Sequence, residues 1–307
     1  MRPIQRKNPF WSLSGPLLGY LGIRWVVEFA AQFLIMFPYM MRGYMDLLKT
    51  NSYPALPEIT EAYMKAAEPA YDILLKYNLE ISGIAALCTI AMTWFMFHKD
   101  RRLEQQCEIE VKQVAYSKYW MIAVLGIVGC VAVDNLMTMI QFAFYNPEET
   151  VMVNPHTPNF VSQLIFMGVV IPIAEELLFR GILFRRFRER QGFWYSAFCT
   201  AILYGLMNAN TIMIVYGFAM SLLMAYLYEK FGSFKAPVWL HILLNLTSVI
   251  LSETGVYTML ESNPMNMAAV IIFGTFICSI VFVKIQRMDW AYKMPKINKQ
   301  DPPVIES

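Results

Sequence analysis

The fold of this chain is decided by residues 160–184, which read FVSQLIFMGVVIPIAEELLFRGILF. As a helix this stretch would be about 37 Å long, enough to cross the ~30 Å of hydrocarbon in a bilayer. It nevertheless contains three ionisable residues, Glu175, Glu176 and Arg180. Such groups cost roughly 2.5–3.5 kcal/mol at the bilayer centre on insertion scales, so they usually face a bundle interior and serve a site. The stretch therefore predicts a membrane helix that carries a functional site.

The rest of the chain is also rich in apolar residues. Hydrophobic residues make up 57% of the 307 residues and charged residues 16%, which argues against a soluble domain of this length. We predict an all-α fold, a polytopic transmembrane helix bundle with about eight spanning helices. The predicted spans are Leu17–Tyr39, Leu79–Phe97, Trp120–Tyr145, Phe160–Phe184, Phe193–Asn208, Ile212–Tyr228, Pro237–Leu251 and Met267–Val283.

These spans divide one membrane domain into three parts. Residues 1–159 hold the N-terminal transmembrane helices and loops, residues 160–255 hold the core helices, and residues 256–307 hold the last helix and a cytoplasmic tail. Between the first two spans, the acidic and apolar residues of the stretch 46–78 predict an amphipathic helix from about Glu58 to Tyr77 near the membrane surface.

Lysine and arginine are distributed unevenly between the loops. The loops 146–159 and 253–266 contain none, whereas most of the 25 basic residues fall within 2–7, 99–118, 185–190, 230–235 and 284–299. Because short basic loops remain in the cytoplasm, we predict a multi-pass protein of a bacterial cell membrane with both termini cytoplasmic.

Two other predicted helices contain ionisable residues. Arg24 and Glu28 are four residues apart and so share a helix face, where they can neutralise each other, and we interpret them as a structural pair. Asp134 is followed by Asn135 in the third helix. A protonated Asp134, a hydrogen bond from it to a neighbouring helix, and a polar cavity around it all stay open.

The spacing of the central polar residues separates their roles. Arg180 follows Glu176 by four residues and can hold it, which leaves Glu175 free for chemistry because adjacent helix residues point about 100° apart. His241 and Asn245 are also four residues apart and share one face of the seventh helix.

This combination suits amide hydrolysis. Burial raises the pKa of a glutamate toward neutrality, so Glu175 could take a proton from water and pass it to the leaving amine. His241 could orient the same water or bind a metal, and Asn245 could donate a hydrogen bond to the oxyanion.

The order Glu-Glu-x-x-x-Arg, aromatic-x-x-x-His and His-x-x-x-Asn resembles the CPBP family, the CAAX-protease and bacteriocin-processing group of intramembrane proteases, also called the Abi family. The resemblance covers about residues 160–255 and makes them a CPBP-like catalytic core. It implies catalytic groups on three helices and endopeptidase activity, on prenylated CAAX proteins in eukaryotic members. Bacterial members resemble immunity proteins, bacteriocin-processing proteins and cell-envelope factors.

By this resemblance, Glu175 is the catalytic base, Glu176 and Arg180 support it, and His241 with Asn245 form the third motif. The second motif differs from the family pattern. It falls at Tyr204-Gly-Leu-Met-Asn208, where Asn208 replaces the family's histidine.

The replacement bears on metal binding and on depth. The resemblance implies that a divalent metal such as zinc could bind, but Glu175, His241 and carboxamides are a poor set of zinc ligands. A water activated by Glu175 and oriented by Asn208 and His241 stays open, as does a degenerate site. In a continuous helix Asn208 would lie about 27 Å from Arg190, so either the fifth helix starts late or Asn208 is outside the site.

Our leading interpretation is an intramembrane endopeptidase that cuts a peptide or membrane-protein substrate within the lipid bilayer. The alternative is a catalytically degenerate scaffold, immunity or regulatory factor that binds a membrane protein such as a sensor kinase or a cell-wall enzyme. A proton-coupled transporter is a third class. The sequence contains no cofactor fingerprint and no feature typical of nucleic-acid binding.

Overall fold

The computed structural model of the chain describes residues 4–6, 8–50, 53–106, 114–144, 156–208, 211–290 and 304–305. Over these residues the fold is an all-α polytopic bundle of ten helices, which confirms the predicted fold class. It also contains a parallel pair of two-residue strands, β1 (Ile4–Gln5) and β2 (Val304–Ile305). The end of the third predicted span at Tyr145, most of the loop 146–159 and the tail 291–303 lie outside the described residues.

The ten helices follow one another with short connections. They are α1 (Pro9–Thr50), α2 (Leu56–Lys76), α3 (Asn78–Gln106), α4 (Trp120–Phe144), α5 (Phe160–Arg188), α6 (Phe193–Gly205), α7 (Thr211–Phe231), α8 (Lys235–Glu253), α9 (Val256–Glu261) and α10 (Pro264–Gln286). A 3₁₀ turn, Tyr116–Tyr119, precedes α4. In α5, π-helical stretches at Gln163–Val170 and Leu177–Phe184 flank an α-helical turn at Ile171–Glu176.

Seven helices of the described chain are long and apolar enough to cross a membrane, namely α1, α3, α4, α5, α7, α8 and α10. The fifth predicted span is the exception, because α6 has 13 residues. At 1.5 Å per residue it is about 20 Å long, which is less than the hydrocarbon thickness. The helix ends at Gly205 because Met207 and Asn208 close tight turns onto Tyr204 and Gly205.

The first helix is longer than predicted. α1 has 42 residues and is therefore about 63 Å long, so it extends well past the predicted end at Tyr39. Its C-terminal part packs against α2, with Gly43 directly against Ala62 and Ala66. The predicted helix from Glu58 to Tyr77 is observed as α2.

The core surrounds α5. Tyr20 of α1 and Ala86 of α3 are fully buried against Ala174 and Leu178 of α5. A second cluster joins α4, α7, α8 and α10 on the other side of the bundle. Every residue of the π-helical stretch Leu177–Phe184 is buried, so α5 is enclosed where its ionisable residues lie.

One end of the bundle contains a buried network of ion pairs. Asp100 of α3 accepts hydrogen bonds from Arg186 at 2.7 Å and from Arg6 at 3.0 Å, and Arg6 also pairs with Glu189. Burial raises the pKa of the Glu189 carboxyl, although the hydrogen bond from Arg6 opposes this shift. Two further pairs are Arg185–Glu104 and Arg188–Glu229. Basic residues that we counted only as signals of orientation therefore also tie α3, α5 and α7 together.

Close packing of α3 on α5 depends on a glycine. A methyl group at Gly83 would overlap the ring of Phe166 in α5, and overpacking of this kind costs about 1–3 kcal/mol. We expect Gly83→Ala to lower the unfolding temperature of the detergent-purified protein. Gly22→Ala is the matched control, because Gly22 of α1 has open space around its Cα and alanine favours helix. Equal unfolding temperatures for the two variants would contradict this packing.

Candidate active site

The two adjacent glutamates of α5 have different environments. Both lie at the end of the α-helical turn Ile171–Glu176, between the π-helical stretches. Glu176 points into the bundle and its side chain is completely buried, whereas the side chain of Glu175 is 18% exposed. π-helical segments within α-helices are rare and occur frequently at functional sites.

Glu176 is the centre of a buried polar cluster. Its Oε1 atom accepts a hydrogen bond from Arg180 Nη1 at 3.0 Å and lies 3.0 Å from Nδ1 of His241. Arg180 also donates to the carbonyl oxygen of Ser221 at 3.0 Å, and its guanidinium lies 5.2 Å from the centre of the Tyr204 ring. With these contacts Arg180 is fully buried, so it orients its neighbours and cannot reach a substrate.

The Glu176 contact also fixes the orientation of His241. A carboxylate paired with an arginine only accepts hydrogen bonds, so Nδ1 of His241 carries the proton in this contact. The other ring nitrogen, Nε2, is then directed at Glu175, 3.9 Å from its Oε2 atom. This separation is too long for a direct hydrogen bond, but one water molecule beside both groups could contact them together.

Glu175 is held at the edge of a cavity. Its Oε2 atom accepts a hydrogen bond of 2.9 Å from the hydroxyl of Tyr204. The cavity has a volume of about 480 Å³. It is lined by Leu21, Arg24, Trp25 and Glu28 of α1, by Glu175 of α5, and by Tyr204, Met207 and Asn208 at the end of α6.

The contribution of α1 was missed by our sequence interpretation. Arg24 and Glu28 do form the expected pair, with Nη2 3.3 Å from Oε1, but the pair lies in the wall of the cavity beside Glu175. The available signal was two ionisable residues at membrane depth, which we assigned to mutual neutralisation. Tyr204 was seen only as the aromatic residue of the second motif.

Asn208 also lines the cavity, which answers the question of its depth. The helix that leads to it covers only Phe193–Gly205 and is followed by a tight turn, so Asn208 is not displaced by the full length of a continuous helix from Arg190. Its side-chain amide donates to the carbonyl oxygens of Tyr204 at 3.4 Å and Gly205 at 3.2 Å. In this orientation the amide nitrogen is bonded to its own helix.

The structure places Asn245 at a different cavity. Its amide donates to the carbonyl oxygen of Met167 at 2.8 Å. In this part of α5 the amide of Ile171 bonds to the carbonyl of Phe166, so the next amide in register with Met167 would belong to residue 172. That residue is Pro172, which has no N–H. Asn245 therefore satisfies a carbonyl that the helix itself cannot satisfy.

This second cavity, of about 340 Å³, contains Asp134. The hydroxyl of Tyr257 in α9 donates to Oδ2 of Asp134 at 2.6 Å, and the thiol of Cys130 lies 3.3 Å from the same oxygen. Two of the three possibilities left open for Asp134 are therefore observed together, a bond to a neighbouring helix and a polar cavity. Its neighbour Asn135 donates to the carbonyl of Val131.

The residues near Glu175 do not fit a zinc site. Zinc requires about four closely spaced nitrogen, sulfur or oxygen ligands, and no group of three His, Cys, Asp or Glu residues in the described ranges could hold a metal. Nδ1 of His241 contacts Glu176, and the amide of Asn208 is turned toward its own helix. We therefore assign no step of the chemistry to a metal.

Comparison with known proteins agrees with the motifs. Residues 157–247 match the profile of the family described as type II CAAX prenyl endopeptidase, Rce1-like, which confirms the resemblance to CPBP intramembrane proteases. The protein named "Putative membrane peptidase YdiL" of Bacillus subtilis (strain 168) is 28% identical over 108 residues, or 35% of this chain and 44% of that protein. The chain thus spans less than half the length of this relative. No solved structure matches.

The buried pair in this site should be important for stability. Removing one partner of a buried ion pair leaves an uncompensated charge and costs about 3–5 kcal/mol. We expect Arg180→Met to lower the unfolding temperature strongly, because Glu176 would lose its only guanidinium contact among the described residues. Lys49→Met is the control, since Lys49 pairs with Asp46 at the exposed surface. A stability of Arg180→Met equal to that of the control would show that the pair is dispensable.

Proposed function

We propose that the chain is an intramembrane endopeptidase in which Glu175 activates water. The observation that carries the proposal is the division of labour between two adjacent carboxylates. Glu176 is buried and bonded to Arg180 and His241, whereas Glu175 borders a cavity and has one oxygen bonded to Tyr204. A general base must reach its water and must also be held in place, and Glu175 combines both properties.

The reaction would proceed by direct attack of water. Glu175 takes a proton from a water that Nε2 of His241 also orients, and the resulting hydroxide forms a bond to the carbonyl carbon of the scissile amide. The electron pair of the C=O bond moves to the oxygen. When the tetrahedral intermediate collapses, the C–N bond breaks and Glu175 passes its proton to the leaving amine. The products are a carboxylic acid and an amine, and Glu175 returns to its initial state.

The other polar residues would position these groups. Glu176 holds Nδ1 of His241 and thereby directs Nε2 at the water, in the way that carboxylates orient catalytic and metal-bound histidines. Arg180 compensates the charge of Glu176. Tyr204 fixes one carboxylate oxygen of Glu175 and leaves the other available to the cavity.

The substrate would be a peptide or a segment of a membrane protein. The matched family is described as a CAAX prenyl endopeptidase and the relative is named a membrane peptidase, so both point to peptide bonds as the target. Trp25 and Leu21 give the cavity an apolar wall, which suits a substrate that reaches the site from the bilayer.

We place the protein in a bacterial cell membrane with its basic ends and both termini in the cytoplasm. Seven spanning helices are consistent with this orientation if the short α6 enters the bundle from the cytoplasmic side and α7 returns. The basic residues at the ends of α5, α7 and α10 would then lie on one side, as the positive-inside rule requires.

One observation favours the alternative, a noncatalytic member that binds a membrane protein such as a sensor kinase or a cell-wall enzyme. Asn208 takes the place of the family's histidine, and its amide is bonded to backbone carbonyls. An asparagine can neither titrate nor serve as a general acid, so the site would lose one component if that histidine were essential.

Cleavage of a membrane-peptide library by the purified protein, followed by mass spectrometry, distinguishes the two functions. We expect Glu175→Gln to reduce cleavage by about 10²–10⁴-fold, the usual contribution of general-base catalysis. Asp134→Asn is the matched control, because Asp134 is a membrane carboxylate of the other cavity, and it should retain wild-type rates within about twofold.

The same assay with Asn208→His tests the alternative. A wild-type protein that cleaves nothing, together with cleavage by Asn208→His, would identify a degenerate protease. Wild-type cleavage that survives Glu175→Gln would refute the role of Glu175.

A further inference from the structure

The cavity beside Glu175 lacks the oxyanion donor that the sequence had predicted. Hydrolysis of an amide develops negative charge on the carbonyl oxygen, and enzymes place hydrogen-bond donors where that charge forms. Asn245 was the expected donor, but its amide bonds to the carbonyl of Met167 and lines the other cavity. A donor must therefore be sought among the residues that line the cavity with Glu175.

Arg24 is the only arginine or lysine that lines this cavity within the described part of the chain. Its guanidinium contacts Tyr20 Oη at 3.4 Å and Glu28 Oε1 at 3.3 Å. Both contacts are longer than the 2.7–2.9 Å typical of charge-assisted hydrogen bonds. The side chain of Arg24 is 21% exposed, in contrast to the completely buried Arg180. Arg24 thus retains donor capacity on the cavity side.

The position of Arg24 relative to Glu175 follows from the packing of α1. Tyr20 is fully buried against Ala174 and Leu178, the residues on either side of the glutamate pair. Arg24 lies one helical turn further along the same face of α1, and its guanidinium interacts electrostatically with Glu175. The base and the guanidinium therefore border the same space from two different helices.

We propose that the guanidinium of Arg24 binds the carbonyl oxygen of the scissile amide and stabilises the oxyanion. This inference rests on the proposed hydrolase function and extends it to α1, which lies outside the matched segment 157–247. The hydroxide formed at Glu175 attacks the carbonyl carbon, the C=O electron pair moves to the oxygen, and Arg24 donates hydrogen bonds to that oxygen. The pair returns when the C–N bond breaks, so Arg24 keeps its protons throughout.

Glu28 has a supporting part in this arrangement. It offsets the charge of Arg24 at membrane depth in the resting protein, where an unpaired arginine would be costly. The 3.3 Å separation between Glu28 and Arg24 leaves an interaction that the guanidinium can share with an incoming oxygen. Arg24 has five N–H donors, so it need not leave Glu28 to bind the substrate.

The test is the cleavage of a defined peptide substrate, identified from the wild-type protein, by variants of Arg24. We expect Arg24→Met to lower kcat by about 10²–10³-fold, the usual cost of losing an oxyanion donor, while KM changes by less than about threefold. Arg24→Lys, which keeps the charge but not the planar fork, should recover part of the loss. Arg24→Ala should be partly rescued by millimolar guanidinium, which a purely structural role would not permit.

Two controls keep this result separate from the proposed function. Arg42→Met removes an exposed arginine of the same helix and should leave kcat unchanged. Glu175→Gln tests the hydrolase mechanism itself. If Glu175→Gln abolishes cleavage while Arg24→Met leaves kcat intact, or raises only KM, the role of Arg24 is refuted and the hydrolase stands. If Glu175→Gln has no effect, the proposed mechanism fails whatever Arg24 does.

Discussion

The arrangement of the whole site depends on one buried carboxylate oxygen, Oε1 of Glu176. It contacts Arg180 of its own helix and His241 of α8, so it joins two helices at a depth where water is not available. Because a buried charge without a partner is very unfavourable, α5 and α8 can pack only in the register that brings these groups together. That register also places Nε2 of His241 near Glu175. A structural requirement of the bundle thereby produces the geometry that hydrolysis needs.

The backbone of α5 is the second constraint. Its π-helical stretches surround the single α-helical turn that ends at Glu176, and Pro172 leaves the carbonyl of Met167 without an amide in its own helix. Asn245 satisfies that carbonyl. A residue with the spacing of a catalytic motif therefore has a structural contact, and the cavity at Glu175 is completed instead by the more distant helix α1. The contribution of α1 gives Arg24 and Glu28 a position beside the base.

Much of this could be predicted from the sequence because it depends on local spacing. Membrane helices follow from apolar length, and the contact of Glu176 with Arg180 follows from an interval of four residues. The length of α6 and the position of Asn208 depend on a turn after Gly205 that apolar residues do not reveal.

The roles of Arg24 and Asn245 were harder to predict, since they depend on the packing of distant helices and on a π-helical register. Sequence periodicity describes the face of one helix, and it does not show which other helix that face will contact.

The most direct test of this arrangement is the accessibility of the two glutamate positions in a bilayer. In a variant whose five native cysteines are replaced by serine or alanine, Glu175→Cys and Glu176→Cys can each be exposed to a small, water-soluble thiosulfonate reagent in liposomes and quantified by mass spectrometry. We expect rapid modification at residue 175, which borders the cavity, and protection at residue 176 until the protein is unfolded. Equal modification of both positions, or protection of residue 175, would contradict the division of roles between the two carboxylates.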